Sequence, residues 1–100
     1  MAIDFFYEGD ERHTAQPRFS LQFSSYEKLD EVWSAIEQQT GVFVDPYGST
    51  ILERRQIELL VSLMDKLFKV RRPDENAAQL LRFLKAELAK GANALYLEGD

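Results

Sequence analysis

The stretch Arg18-Phe19-Ser20-Leu21-Gln22-Phe23, followed directly by Ser24-Ser25-Tyr26-Glu27, decides the fold. Phe19, Leu21 and Phe23 alternate with Arg18, Ser20 and Gln22. A period of two gives a strand with one apolar and one wet face, as in an antiparallel sheet. At Ser24 the period changes. Ser24 and Glu27 have the spacing of a capping box, in which each side chain takes a free backbone N–H at a helix start. Tyr26, Leu29, Val32, Trp33 and Ile36 then recur on one helical stripe, and Gly41 offers a left-handed residue to end the helix. A strand with one buried face next to a helix with one apolar stripe predicts a helix layer on a sheet.

Upstream, residues 3–7 read as a strand, with Ile3, Phe5 and Tyr7 on one side and Asp4 and Phe6 on the other. The polar residues 8–17, with Gly9 among them, read as a loop. Downstream, Val42-Phe43-Val44 reads as a short strand or an extended loop. Asp45-Pro46-Tyr47-Gly48 reads as a turn in which Pro46 fixes φ and Gly48 accepts any φ. Thr50 and Glu53 make a second capping box for a helix from about residue 52 to 69, with Ile57, Leu60, Leu63, Met64, Leu67 and Phe68 as its apolar face. After Arg71-Arg72-Pro73, Asp74 (or Asn76) caps a third helix that turns Ala77, Leu80, Leu81, Leu84 and Leu88 inward and closes at Lys90-Gly91. Residues 94–98 form the last strand. The predicted fold is a single α+β domain over residues 1–100: a small, mainly antiparallel sheet with three helices, in the order β-β-α-(β)-α-α-β.

Composition narrows the chemistry. There is no cysteine, so disulfides, cysteine zinc sites and thiol nucleophiles are excluded, and a reducing, cytoplasmic setting is expected. No apolar run approaches the ~18 residues that span a bilayer, and the N-terminus lacks the basic and apolar regions of a signal peptide. Net charge is −5. Residues 1–50 carry nine acids against three bases, while residues 51–100 carry eight acids against nine bases. An acidic half repels phosphate backbones, which argues against general nucleic-acid binding, and favours a basic partner.

No catalytic constellation stands out. His13 is the single histidine, and without a nucleophile or substrate pocket nearby it reads as a loop residue. Glu8, Asp10, Glu11 and His13 lack the spacing of a metal loop. Asp4, Asp45 and Glu98 are the carboxylates available for paired acid–base work, and nothing in their spacing brings two together. No cofactor or metal is expected. Two features point instead to binding. The outer side of the first helix, with Glu27, Lys28, Asp30, Glu31, Ser34 and Glu37, is mainly acidic, and Glu27 and Glu31 are like charges at i, i+4, which costs helix stability. The turn puts Asp45 and Tyr47 side by side, as an interface anchor would be.

Asp45-Pro46-Tyr47-Gly48, then Thr50, Gln56 and the closing Gly99-Asp100, together resemble small, uncharacterised bacterial proteins found beside secreted polymorphic toxins, where small acidic proteins serve as cytoplasmic immunity factors. The resemblance covers mainly residues 42–60 and 91–100. It implies a non-catalytic protein that binds a cognate toxin and blocks it, with no catalytic residues to carry over. The expected partner-binding residues are Glu27, Asp30, Glu31, Asp45 and Tyr47, laid over a basic cleft. Two other classes compete. A small enzyme or ligand-binding protein would have a pocket between sheet and helices, anchored by Asp45, Tyr47 or His13. A structural subunit or homodimer would expose an apolar patch over Phe6, Phe43 and Tyr96.

Overall fold

A computed structural model describes residues 1–12 and 14–99; the readings on His13 and Asp100 lie outside the described residues. The elements run β1 (Ala2–Tyr7), β2 (Phe19–Gln22), α1 (Phe23–Lys28), α2 (Asp30–Thr40), β3 (Ser49–Glu53), α3 (Arg54–Val70), α4 (Glu75–Ala89) and β4 (Ala94–Gly99). The four strands lie in the order β2-β1-β4-β3, and every neighbouring pair is antiparallel. The expected α+β class and antiparallel sheet are present. The helix count is four rather than three, and the third strand lies elsewhere than expected.

Alternation decides which face of the sheet is buried. Ile3 and Phe5 of β1, Leu21 of β2, Leu52 of β3, and Leu95 and Leu97 of β4 all point to one side and are almost wholly buried. Ile57, Leu60 and Met64 of α3 and Leu80 and Leu84 of α4 close over them. The chain's last strand is central because Leu95 and Leu97 need neighbours on both sides: Leu97 lies opposite Phe5 on β1 and Thr50 on β3. These side chains pack the middle of the sheet–helix interface into one core.

The other face of the sheet is partly covered too. Arg12 reaches back from the loop after β1, sets its guanidinium 4.9 Å from the Tyr96 ring centre and pairs with Glu98 at 3.3 Å. Phe6 beside them is buried and Tyr96 half-buried. The apolar patch expected over Phe6, Phe43 and Tyr96 does not exist, since only Phe43 is exposed.

Three further expectations need correction. First, the leading helix is two helices. Leu29 sits between them with φ −103° and ψ 22°, although no proline or glycine is present. The Trp33 indole N–H donates to the Tyr26 carbonyl at 2.9 Å, and the Leu29 N–H donates to it at 3.1 Å. A side chain inserted into the backbone ladder is a known cause of a break. Second, β2 ends at Gln22 and Phe23 already opens α1, so Ser24 is not a cap; the cap is Gln22, with no side-chain cap bond. Third, residues 42–44 take the extended-loop alternative, the third strand is residues 49–53, and α3 starts at Arg54 rather than near residue 52. Its capping box is Glu53 with Gln56 rather than Thr50 with Glu53: the Glu53 N–H donates to Gln56 Oε1 at 2.8 Å. Thr50 and Leu52 turn inward while Ser49, Ile51 and Glu53 are exposed. Five residues of alternation were hidden because Leu52 also fits a helix start. Asp74 is the N-cap of α4, accepting the Ala77 N–H at 2.8 Å. Among the described residues, no helix is long and apolar enough to cross a membrane.

Candidate protein-binding face

A run of four aromatic rings leads from the core to the surface. Trp33 and Tyr26 stack at 5.3 Å between ring centres, and Tyr26 and Phe23 stack at 6.0 Å. Phe23 then meets Tyr47, also at 6.0 Å. Trp33 is 3% exposed and Tyr47 is 62% exposed. Such a run gives an exposed ring a rigid backing, because each ring is held by the one beneath it.

The turn that carries Tyr47 is tied down on three sides. The Tyr26 hydroxyl donates to the Val44 carbonyl at 2.7 Å. Asp45 Oδ1 accepts the Tyr47 N–H at 2.8 Å, an Asx turn. The Gly99 N–H donates to the Gly48 carbonyl at 2.8 Å, which fastens the turn to the end of β4. Gly48 does not use the positive φ that its place in the turn allowed. The glycine that the turn needs is Gly99: a Cβ there would fall on the Pro46 carbonyl and 2.8 Å from Tyr47 N.

Charge collects around the same rings. Burial raises the Tyr26 hydroxyl above its ordinary pKa, and the negative charges of Asp45, Asp30 and Glu37 raise it further. These three carboxylates, from α2 and from the turn, thus all act on one phenol through their charge. Among the described residues, neither Asp30 nor Glu37 has a cation within ion-pair distance, and the Asp45 carboxylate is bonded to a backbone N–H alone. Unpaired acids beside an aromatic surface cost self-repulsion and attract a basic protein.

The five expected residues divide. Tyr47 joins the Tyr26 stack through Phe23, and the charges of Asp45 and Asp30 act on the Tyr26 hydroxyl. Glu31 is turned aside: it accepts Arg71 at 2.8 Å and joins α2 to α3. That pairing, across two elements, also accounts for Arg71. Glu27 is exposed on α1 and is separated from Asp30 by the break at Leu29, so its expected i, i+4 conflict with Glu31 does not arise within one helix. Phe23 and Tyr26 were missed as site residues. Alternation places Phe23 on the strand face, and helical periodicity places Tyr26 on the buried stripe. Their spacing of i, i+3 was the available signal.

Two other polar groups were not expected. Asp4 and Glu98 lie opposite each other across β1 and β4. Each is satisfied within the chain: Asp4 accepts Ser20 Oγ at 2.7 Å, and Glu98 accepts Ser49 Oγ at 2.7 Å as well as Arg12. At the far end of α4, Glu87 is buried and accepts the Tyr7 hydroxyl at 2.9 Å and Lys90 at 3.3 Å. It lines an open cleft of about 300 Å³ with Asn93 and Ala94. Both partners of its bonded oxygen are the chain's own, so it acts as a tie between β1 and α4. An acid one turn beyond Leu84, on the buried side of α4, was the clue in the sequence. Among the described residues no three His, Asp or Glu side chains gather as a metal site would require.

No protein-family model, curated protein or solved structure matches the chain. The reading of function therefore rests on the face itself.

Proposed function

We propose that the chain is a non-catalytic binding domain of the immunity type, which docks on one basic protein and occludes its working cleft. The observation that carries this is the combination at Tyr26: a backed, exposed Tyr47 with the charges of Asp45, Asp30 and Glu37 acting on the same phenol and, among the described residues, no cation within ion-pair distance of them. Interfaces draw most of their energy from a few rigid aromatic anchors ringed by polar groups. Acidic residues that need not fold the chain speed the encounter with a basic surface. A chain without cysteine suits a cytoplasmic inhibitor. Tyr47 would be the anchor, Asp30, Glu37 and Asp45 the ring that selects a cationic partner, and Glu27 an outer contributor.

Capture tests this. The immobilised full chain should retain one basic protein from lysate of its own source at low salt and lose it at high salt. The double variant Tyr47→Ala/Asp45→Asn should retain far less, since losing one anchor of about 2 kcal/mol weakens binding roughly thirtyfold. Retention of the same protein by both forms at every salt concentration would remove this face as the docking site.

A further inference from the structure

Of the two edge strands, the described residues seal β2 at Ser20 and Gln22 and β3 at Glu53 alone. The Gln22 N–H donates to Asn76 Oδ1 at 2.7 Å, and Asn76 Nδ2 donates to the Ser20 carbonyl at 3.2 Å. The carboxamide of α4 thus stands where a further strand would pair. Among the described residues β3 has such a plug only at its end, where Gln56 takes the Glu53 N–H, and none over Ser49 and Ile51. The Gly99 N–H donates to the Gly48 carbonyl, and the Arg54 N–H donates to the Asn93 carbonyl. Bonded and non-bonded pairs alternate in an antiparallel ladder, so Thr50 and Leu52 bond to β4 while the N–H and C=O of Ile51 face outward. The Glu53 N–H faces outward by the same count, and the Gln56 side chain takes it. Ile51 is 51% exposed. β3 contains no lysine, proline or bulge of the kind that blunts an edge.

The flanks of β3 are of opposite character. Asp45 and Tyr47 precede it, and Arg54 and Arg55 follow it. Arg54 is engaged by the Ala92 and Leu88 carbonyls and by Glu58. Arg55 is exposed and makes no ion pair among the described residues. A strand that is acidic and aromatic at one end and basic at the other complements itself when paired antiparallel.

We infer that β3 pairs antiparallel with β3 of a second copy of this chain, about a two-fold axis at Ile51. Each Ile51 then exchanges both backbone bonds with its equivalent. Ser49 faces Glu53 of the second copy, so no like charges meet. Arg55 of each copy comes beside the Asp45–Tyr47 turn of the other. The row Phe6, Tyr96, Ile51 on the face away from α3 and α4, aligned across β1, β4 and β3, continues through the axis. A two-fold contact repeats every favourable pair, as closed dimers require. The pairing stands apart from the partner-binding reading and shares with it Asp45 and Tyr47.

Sedimentation velocity on the full chain over a wide concentration range tests the pairing. The natural chain should pass from monomer to dimer as concentration rises. Ile51→Pro removes an N–H that β4 does not use, a position where edge strands accept proline. It should keep its far-ultraviolet circular dichroism and weaken association about tenfold or more. Arg55→Glu, an exposed change, should weaken association at low salt, and less at high salt; it decides the matter if the proline variant fails to fold. A natural chain that stays monomeric throughout, or a dimer that neither change weakens, overturns the pairing.

Discussion

Gly99→Ala should lower stability by about 2–3 kcal/mol, the upper part of the range for overpacking a site that cannot yield. The added Cβ would fall on the Pro46 carbonyl and 2.8 Å from Tyr47 N, both backbone atoms. Neither can swing aside as a side chain tip does. Pro46 is itself buried, and the turn is anchored to Tyr26 through Val44, so relief requires moving the turn off β4. The cost should appear as a fall in melting temperature of about 10 °C or more for a domain of this size. Gly48→Ala is the control. A Cβ at Gly48 would meet Asp45 Oδ2 at 2.7 Å, the end of a rotatable carboxylate, so the loss should be smaller. Equal losses in the two variants would show that the approach of the turn to Gly99 is not the constraint.

Asp74→Ala should cost about 2–3 kcal/mol in chemical denaturation, because one carboxylate holds three groups in two helices, α1 and α4. It caps α4 by accepting the Ala77 N–H at 2.8 Å, a role worth about 1 kcal/mol. It accepts the Ser25 hydroxyl at 3.0 Å, and Ser25 is buried, so its hydroxyl would be left unsatisfied at about 1–3 kcal/mol. It also receives Lys28 at 3.3 Å across a more exposed gap, which adds little. Burial pushes this carboxyl up, but the Ala77 N–H, the Ser25 hydroxyl and Lys28 together outweigh burial and hold it below the usual aspartate range. A depressed carboxyl contributes stability that is fully present above the unfolded value of about 3.9. That contribution is lost as pH falls through the lower folded value. The gap between the natural chain and Asp74→Ala should therefore be constant near neutrality and narrow below about pH 4. Asp74→Asn, which still caps a helix, should lose less. A gap that does not change down to pH 2 would contradict the assignment of the charge to this joint.

How much of this was legible in the sequence depends on the kind of signal. Strands that bury one face against polar alternation, as residues 19–22 do, announce themselves, and so did Asp74 before α4. The α+β class and antiparallel sheet followed from such local patterns. What failed was competition between two patterns on the same residues. Thr50-Ile51-Leu52-Glu53 fits a strand by alternation and a helix start by capping, and only the need of Leu97 for a neighbour beyond it decides for the strand. The break at Leu29 was invisible for another reason: it is made by the Trp33 indole reaching a carbonyl seven residues back, and periodicity does not record what a side chain bonds. The same limit governed the face. Asp30, Asp45 and Tyr47 could be chosen for charge and exposure. That Glu31 belongs with Arg71 instead, and that Phe23 and Tyr26 lie beneath Tyr47, are tertiary facts.

The division between Asp30 and Glu31 makes the docking face testable by neighbouring residues of the same charge. The measurement is the affinity of the captured basic partner for the natural chain, Tyr47→Ala, Asp30→Lys/Glu37→Lys and Glu31→Gln, at one low salt concentration. Tyr47→Ala and the double reversal should each weaken binding about thirtyfold or more, while Glu31→Gln stays within about threefold, since Glu31 is already held by Arg71. Equal loss in all three variants, or no loss at Tyr47, would contradict a docking face built on the Tyr26 stack.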